Sequence, residues 1–121
     1  MERVTGIGGV FLRAAQATSL REWYAEHLGI ELSEWGFKPF EWTAGGSTSL
    51  AIFDHDTEYF GRSGQAFMLN FRVADLDAMM AQLRAAGVEV IDAQESEYGR
   101  FGWALDPEGN RFELWEPPPG G

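Results

Sequence analysis

Asp106-Pro107-Glu108-Gly109-Asn110-Arg111-Phe112-Glu113-Leu114-Trp115 joins a turn to a strand. The Asp-Pro-Glu-Gly-Asn run is a strong turn signal, because each of these residues presets or tolerates a turn backbone. Arg111 to Glu116 then leads out as a strand in which Glu113 and Trp115 share one face. Upstream, Phe101 to Leu105 and Val88 to Asp92 are its neighbouring strands. Before them, Leu76, Met79, Met80 and Leu83 form the buried stripe of a helix that starts at an Asp75 or Asp77 cap and stops at Gly87. Phe67, Leu69, Phe71 and Val73 alternate with Met68, Asn70 and Arg72, which predicts a strand ahead of that helix.

The first half of the chain repeats this order. Leu20, Trp23, Tyr24, His27 and Leu28 lie on one face of a helix over about 18–28, and Gly29 ends it. Ser19-Leu20-Arg21-Glu22 fits a capping box at its start. Val10 to Arg13 precedes this helix as a strand, and Phe40 to Thr43 and Ser49 to Phe53 follow it, with Gly45-Gly46 as a turn between them. Arg13 and Arg72 stand ahead of the two helices, and Gly29 and Gly87 close them. The chain therefore reads as an α+β domain over 1–121, built from two βαβββ modules, about 4–54 and 65–117. Their sheet is expected to be mixed and to curl around a cavity. The tail Pro117-Pro118-Pro119-Gly120-Gly121 extends neither strand nor helix.

Composition bounds the function. The 121 residues fit one domain. Without cysteine there is neither a disulfide framework nor a thiolate metal site. No apolar run is long enough to span a bilayer, and Met1-Glu2-Arg3-Val4-Thr5-Gly6 lacks a signal-peptide pattern, so a cytoplasmic protein is expected. Nine basic against 19 acidic residues give a net charge of −10, which repels phosphate backbones and attracts cations. Five Trp, nine Phe and three Tyr supply rings of the kind that line cores, interfaces and small-molecule pockets.

The sequence resembles the vicinal oxygen chelate superfamily, which includes glyoxalase I, extradiol dioxygenases, methylmalonyl-CoA epimerase and the bleomycin and fosfomycin resistance proteins. Three places carry the resemblance: Val10-Phe11-Leu12-Arg13 with Trp23-Tyr24-Ala25-Glu26-His27-Leu28-Gly29; Asn70-Phe71-Arg72-Val73-Ala74-Asp75 through Ala86-Gly87-Val88; and the closing hairpin from Asp106 to Trp115. It implies the two-module fold, a homodimer and, in the enzymes, one divalent metal that acts as a Lewis acid on two neighbouring substrate oxygens. The positions aligned with the family's ligands are Gly9, Ala51, Met68 and Glu113. Glycine and alanine offer no donor, and a thioether does not suit a hard divalent ion. No metal and no other cofactor is therefore expected.

Glu113 becomes the candidate catalytic or anchoring residue, as an inward carboxylate that serves as a general base or holds a cationic ligand. A structural ion pair with Arg13, Arg72 or Arg111 is the plain alternative. The expected ligand-binding set is Phe11, Arg13, Trp42, Phe53, Met68, Asn70, Arg72, Trp103, Glu113 and Trp115. Core packing or dimer contact is the alternative for the rings. His27 falls on a helix stripe, and Asp54-His55-Asp56 alternates across a strand or sits in a solvated loop, so neither points to a metal. Residues 54–64, with the ring pair Tyr59-Phe60, either cap the cavity or simply connect the halves. Gly6-Ile7-Gly8-Gly9 reads as close backbone approach rather than phosphate binding, and no nucleophile motif is present.

These readings favour a metal-independent protein that binds or sequesters a small aromatic or cationic molecule, with no nucleic-acid or membrane partner. The alternatives are a metal-dependent glyoxalase-, dioxygenase- or epimerase-type enzyme that uses Glu113 with unexpected ligands such as His55, and a metal-free enzyme with Glu113 as base beside an arginine.

Overall fold

The structure is a computed structural model that describes residues 1–3, 7–36, 38–41, 47–61 and 64–119. Its elements run α1 (Ala17–Leu28), β1 (Asn70–Arg72), α2 (Leu76–Ala85), β2 (Val90–Ser96), β3 (Gly99–Leu105) and β4 (Arg111–Glu116). The strands form one open mixed sheet in the order β1-β4-β3-β2, with β1 and β4 parallel and the other pairs antiparallel. The second half thus folds as strand, helix and three strands, within an α+β architecture. Of the first half, α1 is a helix, while 7–14 and 47–53 run outside the four-stranded sheet. Phe11 is 83% exposed and Ile52 91%, so the core is built by the two helices and the second half.

Strand register sorts the side chains into two faces. Phe71, Gly102, Ala104, Phe112 and Leu114 point toward the helices, where Leu76, Met80 and Leu83 of α2 are buried against them. Full burial of such side chains stabilises by roughly 1.5–3 kcal/mol each. Gly102 is what lets α2 come this close, because a Cβ there would meet the Met80 sulfur at 2.9 Å. Leu20 and Tyr24 are the buried residues of α1, and Tyr24 and Trp23 set ring edges against Phe112 or tilt over it.

The helix ends show local and distant chemistry side by side. At α2, the Asp75 side chain accepts from Ala78 N at 3.0 Å, as its cap position predicts, and Glu116 Oε1 from the end of β4 accepts from Leu76 N at 2.8 Å. At α1 the expected capping box is absent. The helix begins at Ala17, which leaves Ser19 inside the first turn, and Gln16 caps it without a side-chain bond. The reason is Glu108, whose two carboxylate oxygens accept from Ala15 N and Gln16 N at 2.8 Å each. The hairpin turn thus brings an anion to the positive end of α1. Gly29 ends the helix in the left-handed region (φ 69°), as expected.

The same turn holds Tyr24. Asp106 is 4% exposed, and its Oδ2 accepts from the Tyr24 hydroxyl at 2.9 Å. Burial first, then the Asp106 charge and this hydrogen bond, push the Tyr24 phenol far above its ordinary value. A folded-state pKa raised in this way leaves the phenol's contribution intact below the unfolded value of about 10, and that contribution is lost as pH rises beyond it. Alkaline unfolding followed by circular dichroism should therefore begin above about pH 10. Tyr24→Phe should delay that onset while lowering stability at pH 7 by about 1 kcal/mol. An onset that does not move would show that Tyr24 is not the group responsible.

Among the described residues no helix is long and apolar enough to cross a membrane.

Candidate functional site

The sheet face turned away from the helices carries two cross-strand rows, Asn70–Glu113–Trp103–Ile91 and Arg72–Trp115–Phe101–Gln94. Glu113 is the polar centre of the first row and is 6% exposed. Its Oε1 accepts from Asn70 Nδ2 at 2.6 Å, and its Oε2 accepts from Trp103 Nε1 at 2.9 Å. A second donor to Oε2 is the Tyr59 hydroxyl, which reaches in from outside the sheet. Burial, and then the hydrogen bond to Glu113 and its charge, push the Tyr59 phenol up. Its ring stacks on Phe53 (5.4 Å between centroids) and stands edge-on to Trp103 (6.0 Å).

A cleft of about 210 Å³ opens beside this cluster, lined by Tyr59, Gln94, Glu95, Ser96, Phe101 and Trp103. Phe101 stacks on Trp115, and the Arg72 guanidinium lies over the Trp115 ring, 5.9 Å from its centroid. Trp115 is oriented by donating to the Tyr98 carbonyl at 2.8 Å. That contact relies on Gly99 (φ 118°), where a Cβ would fall on the Glu116 carbonyl oxygen. Arg111 lies over Trp103, 5.5 Å from its centroid, and its Nε is buried with no hydrogen-bond partner among the described residues.

Several residues anticipated for the site come together here: Asn70, Trp103 and Glu113 directly, Trp115 and Arg72 in the adjoining row, and Phe53 through its stack on Tyr59. Phe11 and Arg13 are exposed, and neither lines the cleft. Met68 is half-buried just ahead of β1. Trp42 lies outside the described residues. Of the three arginines considered as partners for Glu113, Arg72 donates to the Ser47 carbonyl at 2.9 Å and Arg111 caps Trp103, and no ion pair to Glu113 forms among the described residues. Tyr59, Gln94, Glu95, Ser96 and Phe101 are the cleft residues that sequence reading left out of the site. The Tyr59-Phe60 ring pair in a polar stretch was the one visible signal.

A divalent ion does not fit this donor set. Both Glu113 oxygens are engaged by neutral O–H and N–H donors. Gly9 and Ala51 carry no donor, and Met68 offers only a thioether. Among the described residues no three His, Asp or Glu side chains converge. The arrangement instead offers a buried anion at the edge of an aromatic cleft, which suits recognition of a cation or of a group rich in N–H donors.

A family model described as a glyoxalase-like domain matches residues 9–115. Among solved structures, the fold is similar to that of TnmS3, an antibiotic-binding protein from Streptomyces sp. CB03234 (TM-score 0.64, 23% identity, 98% of this chain and 100% of that one). It is also similar to lactoylglutathione lyase from Agrobacterium tumefaciens (TM-score 0.58, 18% identity, 95% and 96%). A third similar structure is a member of the glyoxalase/bleomycin resistance protein/dioxygenase superfamily from Sphaerobacter thermophilus (TM-score 0.53, 20% identity, 94% and 98%). No curated protein matches the sequence. At these identities the likeness is one of fold.

Proposed function

This chain belongs to the glyoxalase-like domain family, and from that premise we propose that it is a metal-independent binder of small aromatic or cationic molecules. The observation that carries this reading is Glu113, a buried carboxylate whose partners among the described residues are neutral donors, beside a cleft walled by Tyr59, Phe101 and Trp103. A charge removed from water in this way is costly until a cation meets it, and aromatic walls stabilise the same cation through their ring faces. The antibiotic-binding protein among the structural relatives supports a scaffold that can sequester drug-like molecules. A two-fold homodimer and a cytoplasmic location belong to the same proposal, on the family's precedent.

The test uses the tryptophan signal, since Trp103 lines the cleft and bonds Glu113. Titration with benzamidinium and larger aryl cations should quench fluorescence saturably. EDTA or added zinc should leave the affinity unchanged within about twofold, which is about 0.4 kcal/mol. Flat titrations across the panel would overturn the reading, as would binding that appears only with a metal present.

A further inference from the structure

The three donors to Glu113 among the described residues differ in origin. Asn70 and Trp103 sit on strands whose register against β4 fixes them opposite Glu113. Tyr59 belongs to residues 54–61, which run outside the sheet. The backbone bonds of that stretch close two short turns, Thr57 N to the Asp54 carbonyl and Gly61 N to the Glu58 carbonyl. Tyr59 remains 38% exposed, its backbone N–H donates to Thr57 Oγ1, and its ring packs on Phe53 and Trp103. Its side chain is also a wall of the cleft floored by Phe101 and Trp103. Moving the phenol off Glu113 therefore frees an acceptor position on Oε2, beside the cleft that Tyr59 and Trp103 line, without breaking a strand pair or uncovering the helix-facing core.

Charge makes that exchange favourable for one class of ligand. Among the described residues no Lys, Arg or His pairs with Glu113, and Arg111 is stacked on Trp103 instead. A ligand N–H that carries positive charge forms a stronger bond to the carboxylate than a neutral phenol does. Resting on the reading that the cleft binds small molecules, we propose that Tyr59 holds the place of the ligand's donor: a planar aryl cation bearing N–H groups replaces the Tyr59 hydroxyl on Glu113 and lays its ring against Trp103 and Phe101. Tyr59 is then the specificity-determining residue. It excludes neutral ligands, which gain nothing by displacing it, and it lets quaternary cations only share the cleft.

Two monocationic probes of one aryl ring separate these cases. Benzamidinium carries N–H donors, and phenyltrimethylammonium carries none. Both are titrated against the wild type and Tyr59→Phe, which keeps the ring and its stack on Phe53 and deletes only the competing hydroxyl. Tyr59→Phe should bind benzamidinium about tenfold more tightly, the value of a freed hydrogen bond to a charged group. Phenyltrimethylammonium should shift by less than about twofold. An unchanged benzamidinium affinity in Tyr59→Phe, or equal tightening of both probes, would overturn the exchange and leave the binding reading standing. No saturable binding of either probe to either protein would overturn both.

Discussion

Asp106→Ala should cost about 4 kcal/mol of stability, a large part of the roughly 5–15 kcal/mol available to a domain of this kind. The side chain is 4% exposed and accepts four hydrogen bonds. Oδ1 takes Glu108 N at 2.9 Å and Asn110 N at 3.0 Å, and Oδ2 takes the Tyr24 hydroxyl at 2.9 Å and Asn110 Nδ2 at 2.7 Å. Alanine leaves those donors without an acceptor where water has little access, so the cost is that of desolvated groups rather than of exchanged bonds. It also frees the turn that carries Glu108 to the start of α1, so the damage spreads from the hairpin to the helix. Asp106→Asn should cost about half as much. Its carbonyl still serves the two backbone N–H groups, and the Tyr24 hydroxyl can turn to accept, but its amide then faces that of Asn110. Urea denaturation of the three proteins measures the series. An alanine variant within about 1 kcal/mol of the wild type would mean that the turn is held by its backbone bonds alone.

That turn also shows why some of the structure was legible in the sequence and some was not. The hairpin, the Asp75 cap and the Gly29 stop are local: the residues that specify them lie within a few positions of the backbone they shape. Alternation along β4 likewise placed Glu113 and Trp115 on the face opposite Phe112 and Leu114. Once β3 is paired with β4, Trp103 must stand beside Glu113. The start of α1 is different. Its capping anion comes from Glu108, far along the chain, and a capping-box pattern at Ser19 and Glu22 cannot compete with a carboxylate that reaches the preceding amides. Tyr59 escaped for a related reason. Outside a strand or helix a side chain has no period to reveal its direction, and only packing against Phe53 and Trp103 decides where its hydroxyl goes. Phe11 and Arg13 show the converse. Their place on an expected strand put them in the ligand-binding set, yet a strand fixes the direction of its side chains only where it is paired, and 7–14 lies outside the four-stranded sheet.

Glu113→Gln should abolish most benzamidinium binding while leaving the fold intact, and the separation of these effects is what makes the variant informative. Glutamine keeps the shape of the side chain. Its carbonyl can accept from Trp103 Nε1 and the Tyr59 hydroxyl, and its amide is satisfied if Asn70 turns its own amide to present oxygen. The melting temperature should then stay within about 4 °C of the wild type, or about 1 kcal/mol. Binding has no such remedy. Removing one charge from a buried, hydrogen-bonded charge pair costs about 2 kcal/mol or more, so benzamidinium affinity should fall about 30-fold or further. Glu113→Ala loses binding too, but it also leaves the donors of Asn70, Trp103 and Tyr59 without an acceptor, and it should melt well below the glutamine variant. Combining Glu113→Gln with Tyr59→Phe closes the cycle. If the phenol acts by competing for the carboxylate, deleting its hydroxyl tightens benzamidinium only while the carboxylate is present, and the gain disappears in the glutamine background. A gain that survives there would place the effect of Tyr59 in the cleft wall rather than at Glu113. Unchanged binding by Glu113→Gln alone would remove the carboxylate from the recognition of cations altogether.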